Sequence, residues 1–133
     1  MARVFCDASV LIRYFAEDDP PRALAAAQLI DSDTVLVVSG VVLVEVVHAL
    51  RTERNVQNPQ LADGLVRFLR RDNVEVTDAD RYELIDAIRS TLGLSARRIP
   101  DAFVAAAAQR AGCDWIAAFD RGFRSPTIPV RLL

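Results

Sequence analysis

Val35-Leu36-Val37-Val38-Ser39-Gly40-Val41-Val42-Leu43-Val44-Glu45-Val46-Val47-His48-Ala49-Leu50 is the stretch that decides the fold. Its first four residues are apolar at every position, the pattern of a strand covered on both faces. Ser39 supplies the kind of side chain that opens helices. The valines that follow would by themselves leave a second strand open, but the run continues to about Arg51, too long for a strand. A buried strand feeding a helix across one capping residue is the building unit of an α/β domain. Inside that helix Glu45 interrupts the most apolar run of the chain. The expectation is a carboxylate withdrawn from water, and an unpaired buried charge is costly enough that it is protonated, paired or bound to a cation.

The same alternation extends in both directions. Val4-Phe5-Cys6 forms a first strand, and Ala8 to Phe15 has helical spacing. Asp19-Pro20-Pro21 opens a helix to about Ile30, and Asn58-Pro59 opens another to about Arg71. Val74-Glu75-Val76 is a third strand, Asp78 to Leu92 a helix, and Pro100 lies near the start of an Ala-rich helix closed by Ala111-Gly112. Trp115 to Ala118 is a fourth strand, and Ile128 to Val130 a fifth. The reading is one α/β domain over residues 1–133, with helices on both faces of a central, mainly parallel sheet of four to five strands. Ligands of such domains bind beyond the carboxyl ends of the strands.

At 133 residues the chain can bury a core without disulfides or metal staples. Apolar residues at 52% and charged residues at 26% indicate a globular protein. A net charge of −2 excludes a broad basic surface, so a nucleic acid would need a local patch or a cation held by carboxylates. All 16 basic residues are Arg, whose forked guanidinium suits phosphate. Cys6, Cys113 and the single His48 are too few for zinc, and His48 reads as a core histidine. Met1 to Asp7 reaches a charge before any signal-peptide core forms, and Val35 to Leu50 is too interrupted for a membrane span; a cytoplasmic domain without membrane contact is expected.

Three further carboxylates end or follow apolar runs as Glu45 interrupts one. Asp7 follows the first strand, Asp120 the fourth, and Asp101 lies in the first turn of its helix. Each has a local explanation as well: Asp7 as a helix N-cap, Asp120 as a turn residue, Asp101 as a charge favoured by the helix dipole. Asp114 opens the fourth strand and so stands ~15 Å from its carboxyl end. Asp78 and Asp80 with Glu83 read as helix capping. Acids clustered without His or Cys select hard cations, Mg²⁺ or Mn²⁺, and make a site for metal-assisted attack by water on phosphate.

These residues resemble a known family. Phe5-Cys6-Asp7-Ala8-Ser9-Val10-Leu11-Ile12 is similar to the opening D-x-[ST]-V-L/I motif of PIN-domain nucleases. Val44-Glu45-Val46-Val47-His48-Ala49-Leu50 resembles their E-x-x-x-A-L element, Pro100-Asp101-Ala102-Phe103-Val104-Ala105-Ala106-Ala107 their D-A-x-x-A-A helix start, and Phe119-Asp120-Arg121-Gly122-Phe123 their closing T-x-D-x-x-F motif. The four occur in order from residue 4 to about 130, and a single domain of this size is most similar to VapC-like toxins. The resemblance implies a PIN-like three-layer α/β/α fold and a Mg²⁺-dependent endoribonuclease, Mn²⁺ substituting. Asp7, Glu45, Asp101 and Asp120 would surround the metal, and Ser9 would position a ligand or water. It also implies an RNA substrate, a homodimer, and a small antitoxin whose C-terminal segment covers the active site. Two positions depart from the pattern. The closing Thr or Ser is Ala118, and the acid before the last Phe is Gly122, which weakens the expectation of metal binding at Asp120.

Two other readings compete. A catalytically weak PIN-like domain that binds RNA or protein is kept open by Ala118. A phosphoacceptor receiver domain would need an acidic pair near the first strand and a Lys after the last, and this chain has no Lys. Leu11, Tyr14, Phe15, Leu24 and Leu29, with Arg13 and Arg22 between them, read either as the wall of an antitoxin groove or as ordinary core.

Overall fold

The computed structural model describes residues 1–133. The strands are β1 (Arg3–Cys6), β2 (Val35–Val38), β3 (Val74–Val76), β4 (Trp115–Ala118) and β5 (Val130–Leu132). The helices are α1 (Ala8–Ala16), α2 (Pro20–Ile30), α3 (Gly40–Thr52), α4 (Asn58–Leu69), α5 (Arg81–Arg89) and α6 (Arg98–Arg110). Every strand pair is parallel, in the order β3-β2-β1-β4-β5. The molecule is a three-layer α/β/α domain, α1 packing on α2 and α3, and α5 on α6.

Burial follows that order. β1 is central, with Phe5 level with Val37 on one side and Ile116 on the other, and all three residues are fully buried. The apolar run Val35–Val38 is a strand whose last three residues are closed to solvent, as a doubly covered strand requires. β3 and β5 are edges, and each ends in exposed residues.

The helix starts are written locally. The Ser39 hydroxyl accepts from Val42 N at 3.3 Å, Asp19 accepts from Arg22 N ahead of Pro20 and Pro21, and Asp80 with Glu83 forms a reciprocal capping box. Asp78 does not cap the helix that follows it. Its Oδ1 accepts from Gly40 N at 2.8 Å and so caps α3, 38 residues earlier in the chain. Gly112, at φ +67°, turns the chain out of α6 in the left-handed conformation glycine tolerates.

Some boundaries differ from expectation. β5 begins at Val130 rather than Ile128, because Ser125 and Pro126 hold the preceding residues in turns, Ser125 Oγ accepting from Ile128 N. α5 ends at Arg89, where Ser90 and Thr91 return their hydroxyl protons to the carbonyls of Ala87 and Ile88. His48 is exposed on α3, not a core histidine, because it falls outside the stripe Val42, Val46, Ala49 and Leu50 that faces the sheet. No helix is long and apolar enough to cross a membrane.

Candidate active site

In the strand order the connections run outward from β1 to β3, then return across the sheet to β4. The reversal leaves a crevice beyond the carboxyl ends of β1 and β4, the switch point where ligands of open α/β sheets bind. Asp7 follows β1 immediately and is buried at 7% exposure. Its N–H bonds Ala117 O on β4 at 3.0 Å, which fixes its backbone to the neighbouring strand. Its Oδ2 accepts from Ser9 N at 3.3 Å and from the Ser9 hydroxyl at 2.8 Å. The same hydroxyl accepts from Phe119 N at 2.9 Å, across 110 residues. Ser9 therefore spends its one proton on Asp7 and ties α1 to the segment after β4.

Asp7 is an N-cap, and that role is compatible with a place in the candidate site. Burial pushes its carboxyl above the usual range, the Ser9 and Ala8 hydrogen bonds pull the other way, and the charge of Asp101 adds to the rise. Glu45 is likewise raised, first by loss of water around its carboxyl group, then by Asp7 and Asp101. Asp7, Glu45 and Asp101 thus stand near enough for the charge of one to be felt by another, carried toward the same crevice by β1, α3 and α6.

One expectation about Glu45 is corrected. It is not enclosed by its valine neighbours: Glu45, Val41 and Val44 all lie on the exposed side of α3, and the helix turns Val42 and Val46 inward instead. A run of consecutive apolar residues does not surround its members once it is wound into a helix. Glu45 forms no ion pair with any Arg.

Asp101, in the first turn of α6, accepts from Arg98 Nη1 at 3.4 Å and from Arg124 N at 3.1 Å through the same oxygen, Oδ2. Asp120 is exposed, and its Oδ1 accepts from Gly122 N at 2.8 Å in a tight turn. A side-chain Cβ at residue 122 would come within 3.2 Å of that oxygen, so Gly122 leaves Asp120 its turn. Asp120 shares a surface depression with Ser9, Arg13, Arg22 and Phe119. Asp114 holds Arg3 N at the opposite end of β4, as its position required. The thiol of Cys6, under Asp7, is pushed up to about 12 by burial and the neighbouring carboxylate, which makes it inert.

The donor set suits a hard cation. It is all oxygen, its charges repel one another, and Asp7 and Glu45 have no basic partner. No three acidic, histidine or cysteine side chains converge closely enough to enclose an ion among them. The acids are therefore not a closed cage, and an ion held by one or two of them would take its other ligands from water and substrate oxygens.

Arg98 and Arg124 did not figure among the expected site residues. Arg98 stands three residues before Asp101 on one helix face, a spacing at which opposite charges meet. The contact of Arg124 N with Asp101 spans 23 residues and has no local signal.

A family model described as PIN domain matches residues 4–127. No curated protein sequence matches the chain. Three solved structures share its architecture. One is Mycobacterium tuberculosis VapC20, described as a Sarcin-Ricin loop cleaving toxin: 21% identity, TM-score 0.70, over 90% of this chain and 92% of that one. Another is VapBC2 from Rickettsia felis bound to a promoter DNA fragment: 12% identity, TM-score 0.68, over 98% of each chain. The third is DNA-bound VapBC from Salmonella typhimurium: 14% identity, TM-score 0.62, over 99% of this chain and 98% of that one. At such identities the likeness is one of fold.

Proposed function

The chain belongs to the PIN-domain family, and we propose that it is a divalent-cation-dependent endoribonuclease serving as the toxin of a toxin–antitoxin pair. The observation that carries the reading is the acid cleft at the switch point. A buried Asp7 and a Glu45 with no cationic partner both hold their protons more tightly than usual, first through loss of water and then through the charges of nearby acids, Asp101 among them. A fold gains nothing from such repulsion unless a cation or a proton relieves it.

Asp7, Glu45 and Asp101 would hold Mg²⁺ or Mn²⁺, with Asp120 contributing from the outer side. When bound, the cation would lower the pKa of water and stabilise charge developing on a phosphate. The protein's own part is positional. Ser9 orients the Asp7 carboxylate and locks it to Phe119 N. Arg98, through Gly122 O at 2.6 Å, clamps the turn after β4 against α6 and keeps Asp101 facing the cleft.

The partners follow the same reading: RNA as substrate, a second copy of the chain, and a small antitoxin covering the cleft. Two of the similar structures are VapBC assemblies, which supports the antitoxin. Its groove is not the face of α1 and α2 as a whole. Leu11 is fully buried, Tyr14, Phe15 and Leu29 pack on the core, and Leu24 alone among the five is exposed.

A second reading, a domain that binds RNA without cutting it, is favoured by Ala118 in place of a hydroxyl and by Asp120 being engaged in its own turn. One experiment separates them. Purified chain with labelled RNA should cut in Mg²⁺ or Mn²⁺, and both EDTA and Asp101→Asn should abolish cutting. Cleavage that persists in excess EDTA would overturn the mechanism, and binding without cleavage in Mn²⁺ would establish the second reading.

A further inference from the structure

Resting on the ribonuclease reading, we propose that the cleft walled by Arg98, Arg124 and Ser125 beside Asp101 seats one unpaired nucleotide of the RNA, with Arg124 gripping the phosphate next to the one that is cut. The cleft has a volume of about 390 Å³ and opens between the end of α5, the start of α6 and the loop before β5. Small-ligand sites begin at about 300 Å³, so one nucleotide, not a duplex, is the scale of the occupant.

It adjoins the acid cleft directly, because Arg98 Nη1 and Arg124 N both contact Asp101 Oδ2. A strand with a phosphate at the acids would continue into it. The charge is right as well. The net charge is −2, yet Arg124 lines the cleft without a carboxylate partner, and neither Arg121, whose carbonyl it holds, nor Arg97, which reaches Gly122, forms an ion pair. On the other side of Asp120 the balance is opposite: Arg13, Arg22 and Arg54 are neutralised by Asp18, Asp19 and Glu53. Of the two sides of Asp120, the α6 side is the one that offers uncompensated positive charge to a polyanion, a local patch of the kind an acidic chain needs to hold RNA.

The walls match a nucleotide in kind. Arg124 Nη1 is anchored on the carbonyls of Arg121 and Phe123, so its guanidinium is pre-positioned and loses little freedom on binding. The Ser125 hydroxyl accepts from Thr127 N at 3.4 Å and Ile128 N at 3.1 Å, which leaves its proton unspent. The Ser90 hydroxyl has given its proton to Ala87 O and has only lone pairs to offer. A free donor facing a free acceptor suits a ribose 2′-hydroxyl, which is both. Leu94 and Pro126 supply apolar wall for a base, which can reach it only from an unpaired strand.

The test uses the full chain carrying Asp7→Asn, in EDTA, so that binding is read without cleavage. Anisotropy of a short fluorescent single-stranded RNA is followed across a salt series. Arg124→Ala should weaken binding about 4-fold at 0.15 M salt and flatten the slope of log affinity against log salt by ~0.7, the loss of one phosphate contact. Arg124→Lys, which keeps the charge and not the guanidinium fork, should keep the slope, so that charge is what is read. Ser125→Ala should narrow the preference for RNA over DNA of the same sequence. Arg67→Ala, on exposed α4, should change nothing. The proposal is overturned if Arg124→Ala binds like its parent, if Arg67→Ala loses as much, or if duplex RNA binds as tightly as single strands. A parallel cleavage assay in Mn²⁺ uses the chain with Asp7 intact: no cleavage would remove the ribonuclease reading itself, whereas cleavage and binding both unchanged by Arg124→Ala would remove only this cleft.

Discussion

Asp7 carries two duties, and their signs can be separated. As an N-cap it is replaceable by Asn, which caps equally well. As a buried acid its proton affinity is raised, by burial first and with a smaller push from Asp101. The folded chain therefore holds a proton that the unfolded chain releases, so this contribution to stability is complete below the ordinary Asp range and is lost as pH rises through it toward the raised value. Without metal, the melting temperature of Asp7→Asn should gain on that of the parent as pH rises above about 4, the ordinary Asp value. A constant or shrinking gap would mean that Asp7 is satisfied by its capping bonds alone. Glu45 gives a second test. Because it is exposed and has no Arg partner, Glu45→Gln should change metal-free stability by no more than about 0.5 kcal/mol. It should lose much of the upward melting shift that Mn²⁺ produces and most of the cleavage. A large metal-independent loss of stability would contradict this placement. The identity of these acids was legible because each breaks an apolar run. Their exposure was not, since it depends on which way α3 faces.

The elements were legible where chemistry and period agreed. Asp19-Pro20-Pro21, the Asp80–Glu83 box and Gly112 mark helix ends by side chains acting within a few residues, and the structure places helix ends there. β5 was misplaced by two residues and the end of α5 by three, because hydroxyls of Ser90, Thr91 and Ser125 settle them by choosing among nearby backbone partners. Asp78 was the larger miss, since its partner lies on α3. That contact yields a prediction. Asp78→Ala removes a carboxylate from the first N–H of the helix that carries Glu45 and should cost about 0.5–2 kcal/mol in denaturant unfolding. The Mn²⁺ concentration for half-maximal stabilisation should barely move, since Ser39 still caps the helix from within. A matching loss of Mn²⁺ affinity would show that the outer cap also sets the position of Glu45.

Across the whole molecule, strand order does most to create the site. With β1 between β2 and β4, the Ser9 hydroxyl bonds both Asp7 and Phe119 N, and α3 and α6 approach the same crevice. The same packing leaves α3 with an outer face that the sheet cannot cover. Val44 is 69% exposed and Val41 38%, three residues apart on one side of the helix, beside a shallow depression lined by Leu43, Val47 and His48. Apolar residues so placed gain from being covered, and in the proposed homodimer this face would meet its copy. Val44→Asp would put a charge at the centre of that contact while altering the isolated fold by no more than about 0.5 kcal/mol, as expected for an exposed position. The parent should run as a dimer in light scattering at micromolar concentration, and Val44→Asp as a monomer with an unchanged circular dichroism spectrum. A parent already monomeric would remove the dimer from the proposed function. A variant still dimeric would move the interface to another exposed apolar face, such as Tyr82, Ile85 and Ile88 of α5.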